Sequence, residues 1–163
     1  MSCFVAGTFA KVPVMGNKIR LTDNWEFLRQ DVGNIWELVR PIKKGQPEEQ
    51  PIWTKVTLPH CFNAEDAVDP DLNYYQGPGW YKTQLTIDNP YKNGRILLEF
   101  EGAGQKTYVY IYMTKVAGHT GGYDSWNVDI TDAVNTFLSS KEAERFGGRV
   151  PLSIRCDNTR DAE

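Results

Sequence analysis

Apolar and polar residues alternate along most of this chain, and the alternation has the period of two that half-buried strands show. Val109, Ile111 and Met113 take one side of a run in which Tyr108, Tyr110 and Tyr112 take the other. The same rhythm places Ile96, Leu98 and Phe100 inward within Arg95 to Glu101, with Leu97 and Glu99 on the opposite face. Tyr81, Thr83, Leu85 and Ile87 share a side of Trp80 to Ile87, and Val150, Leu152, Ile154 and Cys156 share a side of Arg149 to Asp157. Shorter strands are predicted at Trp25 to Leu28, after the turn-forming Asp23-Asn24, and at Trp53 to Leu58, where Pro59 stops the pattern. Tertiary packing then has to bring these faces together. Short strands, frequent turn signals and no βαβ rhythm predict an all-β fold of two packed antiparallel sheets.

Helical signals are few. Asp129 is placed to cap a helix running to about Ser140, with Ile130, Val134 and Leu138 on one side and Ala133 and Phe137 beside them. A helical turn at Ile35 to Arg40 interrupts the polar excursion from Asp31 to Gln50. Asn93-Gly94 marks a turn that favours positive φ. His119-Thr120-Gly121-Gly122-Tyr123 fits neither strand nor helix templates and is predicted to be a loop.

Composition narrows the function more than the fold. A formal charge of −3 argues against a nucleic-acid groove, which wants a basic face. No run approaches the roughly 20 apolar residues of a membrane helix, so no membrane insertion is expected. The first residues lack the pattern of a signal peptide, and a periplasmic or extracellular site is expected only if a parent protein carries a removed one. Cys3, Cys61 and Cys156 are odd in number and follow no metal spacing. A disulfide framework is therefore not expected, and Cys156 reads as a buried thiol.

The chemistry-bearing residues lie in two glycine-bent loops. Tyr74, Tyr75, Gln76 and Trp80 belong to one, and Tyr123 and Trp126 to the other. Aromatic faces with planar hydrogen-bonding groups suit sugars, whose rings offer both C–H faces and hydroxyls. Trp80 opens a strand and has core packing as its simpler reading, which leaves Tyr75, Gln76 and Tyr123 as surface candidates. His60 and His119 are read as loop-structuring side chains, together with Gly121 and Gly122. No serine elbow accompanies them and no zinc spacing links them. Glu65, Asp66, Asp69 and Asp71 make an acidic loop whose default reading is a solvated turn. A structural calcium is the alternative there, and no other cofactor or metal is expected.

Ordered blocks of residues carry a resemblance. Trp25 and Phe27, then Trp53, then Leu58-Pro59-His60-Cys61-Phe62-Asn63 come first. Tyr74-Tyr75-Gln76-Gly77-Pro78-Gly79-Trp80-Tyr81, Phe100-Glu101-Gly102, His119 with Gly121, Gly122 and Tyr123, Asp129-Ile130-Thr131 and Arg155-Cys156-Asp157-Asn158 follow. Together they resemble the N-terminal sugar-binding domain of glycoside hydrolase family 2, the beta-galactosidase and beta-glucuronidase family. Two positions depart from its pattern: Gln76 stands where the family carries arginine, and Tyr112-Met113 replaces an Asn-Gly hairpin turn.

The resemblance implies a jelly-roll sandwich of the galactose-binding-domain kind over residues 19–163, after an N-terminal extension of residues 1–18. It implies that the domain stops before its last strand and that sister domains of the same polypeptide complete the enzyme. No catalytic residue is expected here, because the family's two glutamates sit on a (β/α)₈ barrel. The parent would be a retaining exo-β-glycosidase of beta-galactosidase type acting on β-linked glycosides or oligosaccharides. Asp157 and Asn158 would join Tyr75, Gln76 and Tyr123 near the pocket rim. A self-sufficient carbohydrate-binding module is the first alternative, and a protein-interaction sandwich with its Tyr75 and Tyr123 loops at opposite ends is the second.

Overall fold

The computed structural model describes residues 3–9, 18–41, 52–61, 76–87, 93–121 and 125–159. Eleven strands and three short helices follow in the order β1 (Cys3–Phe9), β2 (Lys18–Arg20), β3 (Trp25–Leu28), α1 (Trp36–Val39), β4 (Thr54–Val56), β5 (His60–Cys61), β6 (Pro78–Leu85), β7 (Leu97–Gly102), β8 (Lys106–Ile111), β9 (Thr114–Thr120), β10 (Trp126–Asp129), α2 (Thr131–Leu138), α3 (Glu142–Arg145) and β11 (Val150–Asp157). One sheet runs β10-β7-β1-β2, with β5 also paired to β1, and the other runs β4-β3-β6-β11-β8-β9. Every pairing is antiparallel. The fold is an all-β sandwich, as the alternation predicts.

The inward faces are those the period assigns except at the β8–β9 turn, where Met113 is exposed and Tyr112 packs against the core. Leu98, Phe100 and Val128 from the first sheet meet Trp25, Phe27, Tyr81, Leu85, Val109, Ile111, Leu152 and Ile154 from the second in one core cluster. Burying each of these side chains contributes about 1.5–3 kcal/mol. The outward rows are also regular. Leu28, Trp80, Arg155 and Tyr108 lie side by side across β3, β6, β11 and β8, and Glu26, Lys82, Ser153 and Tyr110 form the next row.

Four features differ from the sequence reading, each through a contact that local pattern does not encode. Strand β1 falls within the segment read as an extension, yet it lies between β7 and β2 in the first sheet. His119 and Thr120 finish strand β9 instead of opening a loop, because β8 supplies partners up to Lys106–Thr120. Trp126–Asp129 is a strand, β10, held against β7. Cys61 is disulfide-bonded and only Cys156 is a free thiol among the described residues. The backbone register sets Cys3 opposite Cys61.

Smaller adjustments concern the helices and one turn. Asp129 does receive the Thr131 N–H, at 3.0 Å, but it stands one residue outside the N-cap of α2, which is Ile130 and has no side-chain cap. The buried stripe of α2 is Thr131, Val134 and Phe137, while Leu138 faces solvent. Phe137 wins that place by packing on Tyr112 and Phe146. The β8–β9 hairpin keeps a two-residue turn without Asn-Gly, since Ile111 pairs with Thr114 and Tyr112 adopts φ +53°.

Candidate functional site

Strand pairing gathers the sequence candidates at one end of the six-stranded sheet. Asp157 pairs with Pro78 at the start of β6 and with Lys106 at the start of β8, and Lys106 pairs with Thr120 at the end of β9. Gln76, just before β6, is exposed there. Asn158 ties the two chain crossings together: its Oδ1 accepts the Gly77 N–H at 2.8 Å, and its own N–H donates to the Gly77 carbonyl at 3.3 Å. Gly121, with φ +125°, donates its N–H to the Gln105 carbonyl at 2.8 Å, so its loop leaves from the same end. Tyr75, Gly122 and Tyr123 lie outside the described residues, as does the acidic loop of Glu65, Asp66, Asp69 and Asp71.

The outer side of this end is locked by charge. Arg155 donates Nη2 to Asp31 Oδ2 at 3.1 Å and reaches Asp157 Oδ2 with Nη1 at 3.5 Å. Trp80 donates Nε1 to the other Asp31 oxygen at 3.3 Å and packs its ring near Tyr110, 5.6 Å between centroids. Only 2% of Trp80 is exposed, so it is no open sugar platform. Burial works to raise the Asp31 carboxyl. The hydrogen bonds from Arg155, Trp80 and the Gly33 N–H, with the Arg155 charge, outweigh it and hold the group below its ordinary value. A depressed folded-state value stabilises the fold above the unfolded carboxyl's pKa of about 3.9, and that contribution is lost as pH falls through the folded value. Asp31→Asn is therefore expected to flatten the acid limb of stability, measured as urea midpoints below about pH 5.

The inner side is aromatic. The His119 ring stacks on Trp126, 4.5 Å between centroids and 6° between planes, and Trp126 stacks on Phe100 at 4.2 Å and 8°. His119 Nδ1 and Trp126 Nε1 are buried without a hydrogen-bond partner among the described residues. His60 Nδ1 lies 2.8 Å from the Tyr81 hydroxyl, and its ring sits 4.8 Å from that of Phe27. Opposite Tyr108, Gly118 allows a close approach: a Cβ there would meet the Tyr108 ring at 3.1 Å. The Cys156 thiol is fully buried and pushed up to about 12 by that burial, which leaves it unreactive. The Arg155–Asp31 lock is the part of this site that the sequence reading missed. Its members lie 124 residues apart, and no local signal joins them.

Comparison with known proteins settles the lineage. The family model for the sugar binding domain of glycosyl hydrolases family 2 matches residues 23–142. The chain belongs to this glycosyl hydrolase family. It is similar to the crystal structure of Parabacteroides merdae β-glucuronidase with glycerol in the active site. The identity is 73% and the TM-score 0.85, over 94% of this chain and 19% of that one. A β-glucuronidase of Bacteroides fragilis is 36% identical over 104 residues, 64% of this chain and 14% of the relative. A β-galactosidase of Thermoanaerobacter pseudethanolicus is 24% identical over 68% of this chain and 14% of its own length. Within the family the nearer name is thus β-glucuronidase, where the sequence reading leaned to β-galactosidase. The chain spans less than a fifth of each of these proteins.

Proposed function

We propose that this chain is the non-catalytic N-terminal domain of a β-glucuronidase-like enzyme, and that its Gln76, Gly121 and Asp157–Asn158 end borders the substrate pocket of a catalytic domain in a longer polypeptide. The convergence of those segments at one sheet end carries the reading. Two loops 45 residues apart in sequence, read from Gln76 to Gly121, leave the sandwich together and not from opposite ends. That arrangement favours a shared ligand over the protein-interaction alternative. The short span of the chain against its relatives supports a division of labour in which the two carboxyl groups of retaining hydrolysis, about 5–5.5 Å apart, come from elsewhere.

Asn158 has a positioning role in this scheme, since two of its hydrogen bonds go to Gly77 and hold Gln76 beside β11. In the full-length polypeptide, Asn158→Ala is expected to raise KM for a chromogenic β-glucuronide by about fivefold. The value of kcat should change less, because a rim contact binds ground and transition states alike. The 163-residue chain alone should turn over neither β-glucuronide nor β-galactoside. Sustained hydrolysis by it would overturn the proposal.

A further inference from the structure

A groove of about 800 Å³ opens toward the other end of β6 and β11, away from Gln76 and Asn158. Its floor is the outward row of the six-stranded sheet, with Glu26, Lys82, Gln84, Pro151 and Ser153, and Val39 of α1 and Phe146 after α3 also line it. That volume falls inside the range of about 300–1,000 Å³ typical of ligand sites. The lining is mixed in the way sugars require. Half-buried Phe146 stands beside the exposed planar amides of Asn24 and Gln84, over a floor that includes buried Val39, Pro151 and Ser153.

Charge separates this groove from a generic polar cleft. Five ionisable side chains line it: Asp23, Glu26, Lys55, Lys82 and Arg149. Lys82 is already engaged, 3.7 Å from Glu26 and 4.1 Å above the Trp53 ring centroid. Lys55 and Arg149 are exposed and have no carboxylate partner among the described residues. Arg149 makes only a 3.5 Å contact from Nε to the Phe146 carbonyl, which leaves both terminal nitrogens of its guanidinium fork available. By contrast Arg20, Arg40, Arg95, Arg145 and Arg155 each pair with a carboxylate. A planar fork at one wall, an ammonium at another and amides between them match a ligand bearing carboxylates and hydroxyls together. Asp23 suits the hydroxyls, as an acceptor at the rim.

We propose that this groove is a second carbohydrate site, for a uronate-bearing oligosaccharide, in which Arg149 and Lys55 take the carboxylates while Asn24 and Gln84 take hydroxyls. The choice of glucuronate as the acid sugar to test rests on the reading of the chain as a glucuronidase domain; the charge argument does not.

The test is a titration of the chain, by calorimetry or amide NMR, with a tetrasaccharide of alternating glucuronate and N-acetylglucosamine. A carboxyl-reduced neutral form of the same tetrasaccharide is the control. Saturable binding near a Kd of about 1 mM is expected, about tenfold weaker for the neutral form and weakened as salt rises from about 50 to about 500 mM. The double variant Lys55→Gln/Arg149→Gln should lose about tenfold, and Lys55→Arg, which keeps the charge and the Arg149 fork, should retain most of the affinity. Equal affinity for the two sugars, wild-type affinity in the double glutamine variant, or no binding at all would overturn the proposal. The two-sugar comparison needs only the wild-type chain, so a variant that fails to fold leaves it decisive. Failure here, with Asn158→Ala still raising KM in the full-length polypeptide, would sink the groove and spare the pocket-rim reading.

Discussion

Phe100→Ala is expected to lower the unfolding free energy by about 3–5 kcal/mol, the largest effect of any single substitution discussed for this domain. Phe100 is fully buried on β7, and its ring is the inner member of the stack with Trp126 and His119. Trp126 lies on β10, an edge of the first sheet, and His119 on β9, an edge of the second. The stack therefore closes the sandwich along one side, and removing its base opens a cavity beneath a tryptophan that cannot collapse into it. Aromatic pairs add about 0.5–1.5 kcal/mol beyond the area they bury, so Phe100→Leu should recover most but not all of the loss. Chemical denaturation with the slope unchanged is the measurement. A loss below about 1 kcal/mol would show that the stack does not hold the sheets together.

Thr131→Val should cost about 1–3 kcal/mol although the two side chains have nearly the same shape. The Thr131 hydroxyl accepts the buried Ile96 N–H at 2.7 Å and donates to Asp129 Oδ1 at 2.6 Å. Valine would leave the Ile96 N–H buried without a partner, and that desolvation is the main loss. It would also remove a bond from Asp129, whose carboxylate receives the Thr131 N–H and is paired with Arg95. Burial works to raise the Asp129 carboxyl, and the Thr131 and Arg95 hydrogen bonds together hold it below its ordinary value. Thr131→Ser keeps the hydroxyl and loses one methyl, so about 0.8 kcal/mol is expected. A serine variant as unstable as the valine one would place the effect in packing and not in the hydrogen bond.

The placement of the candidate residues is legible in the sequence to different depths. Gln76, Asp157 and Asn158 were named from motif position, and the structure brings these three together through the β6–β11 pairing. Trp80 had both a core and a surface reading in the sequence. It is buried, as the core reading has it, but on the outer face beside Asp31, a placement that requires knowing which loop crosses the sheet. The groove at Lys55 and Arg149 had no sequence signal at all, because its walls come from β3, β4, β6, β11 and the short helices.

Side-chain alternation determined six of the strands, most of their inward faces and the all-β class, because a pleated backbone turns successive residues to opposite sides whatever lies beyond them. The hydrogen bond from the Thr131 N–H to Asp129 at the start of α2 is likewise local, two residues from its donor. Tertiary structure alone decided the rest. It put β1 inside a sheet, turned Phe137 inward and Leu138 outward, bonded Cys61 and joined Asp31 to Arg155. Each of those outcomes depends on which distant segment fills the neighbouring space, and a single strand or helix carries no record of its neighbour.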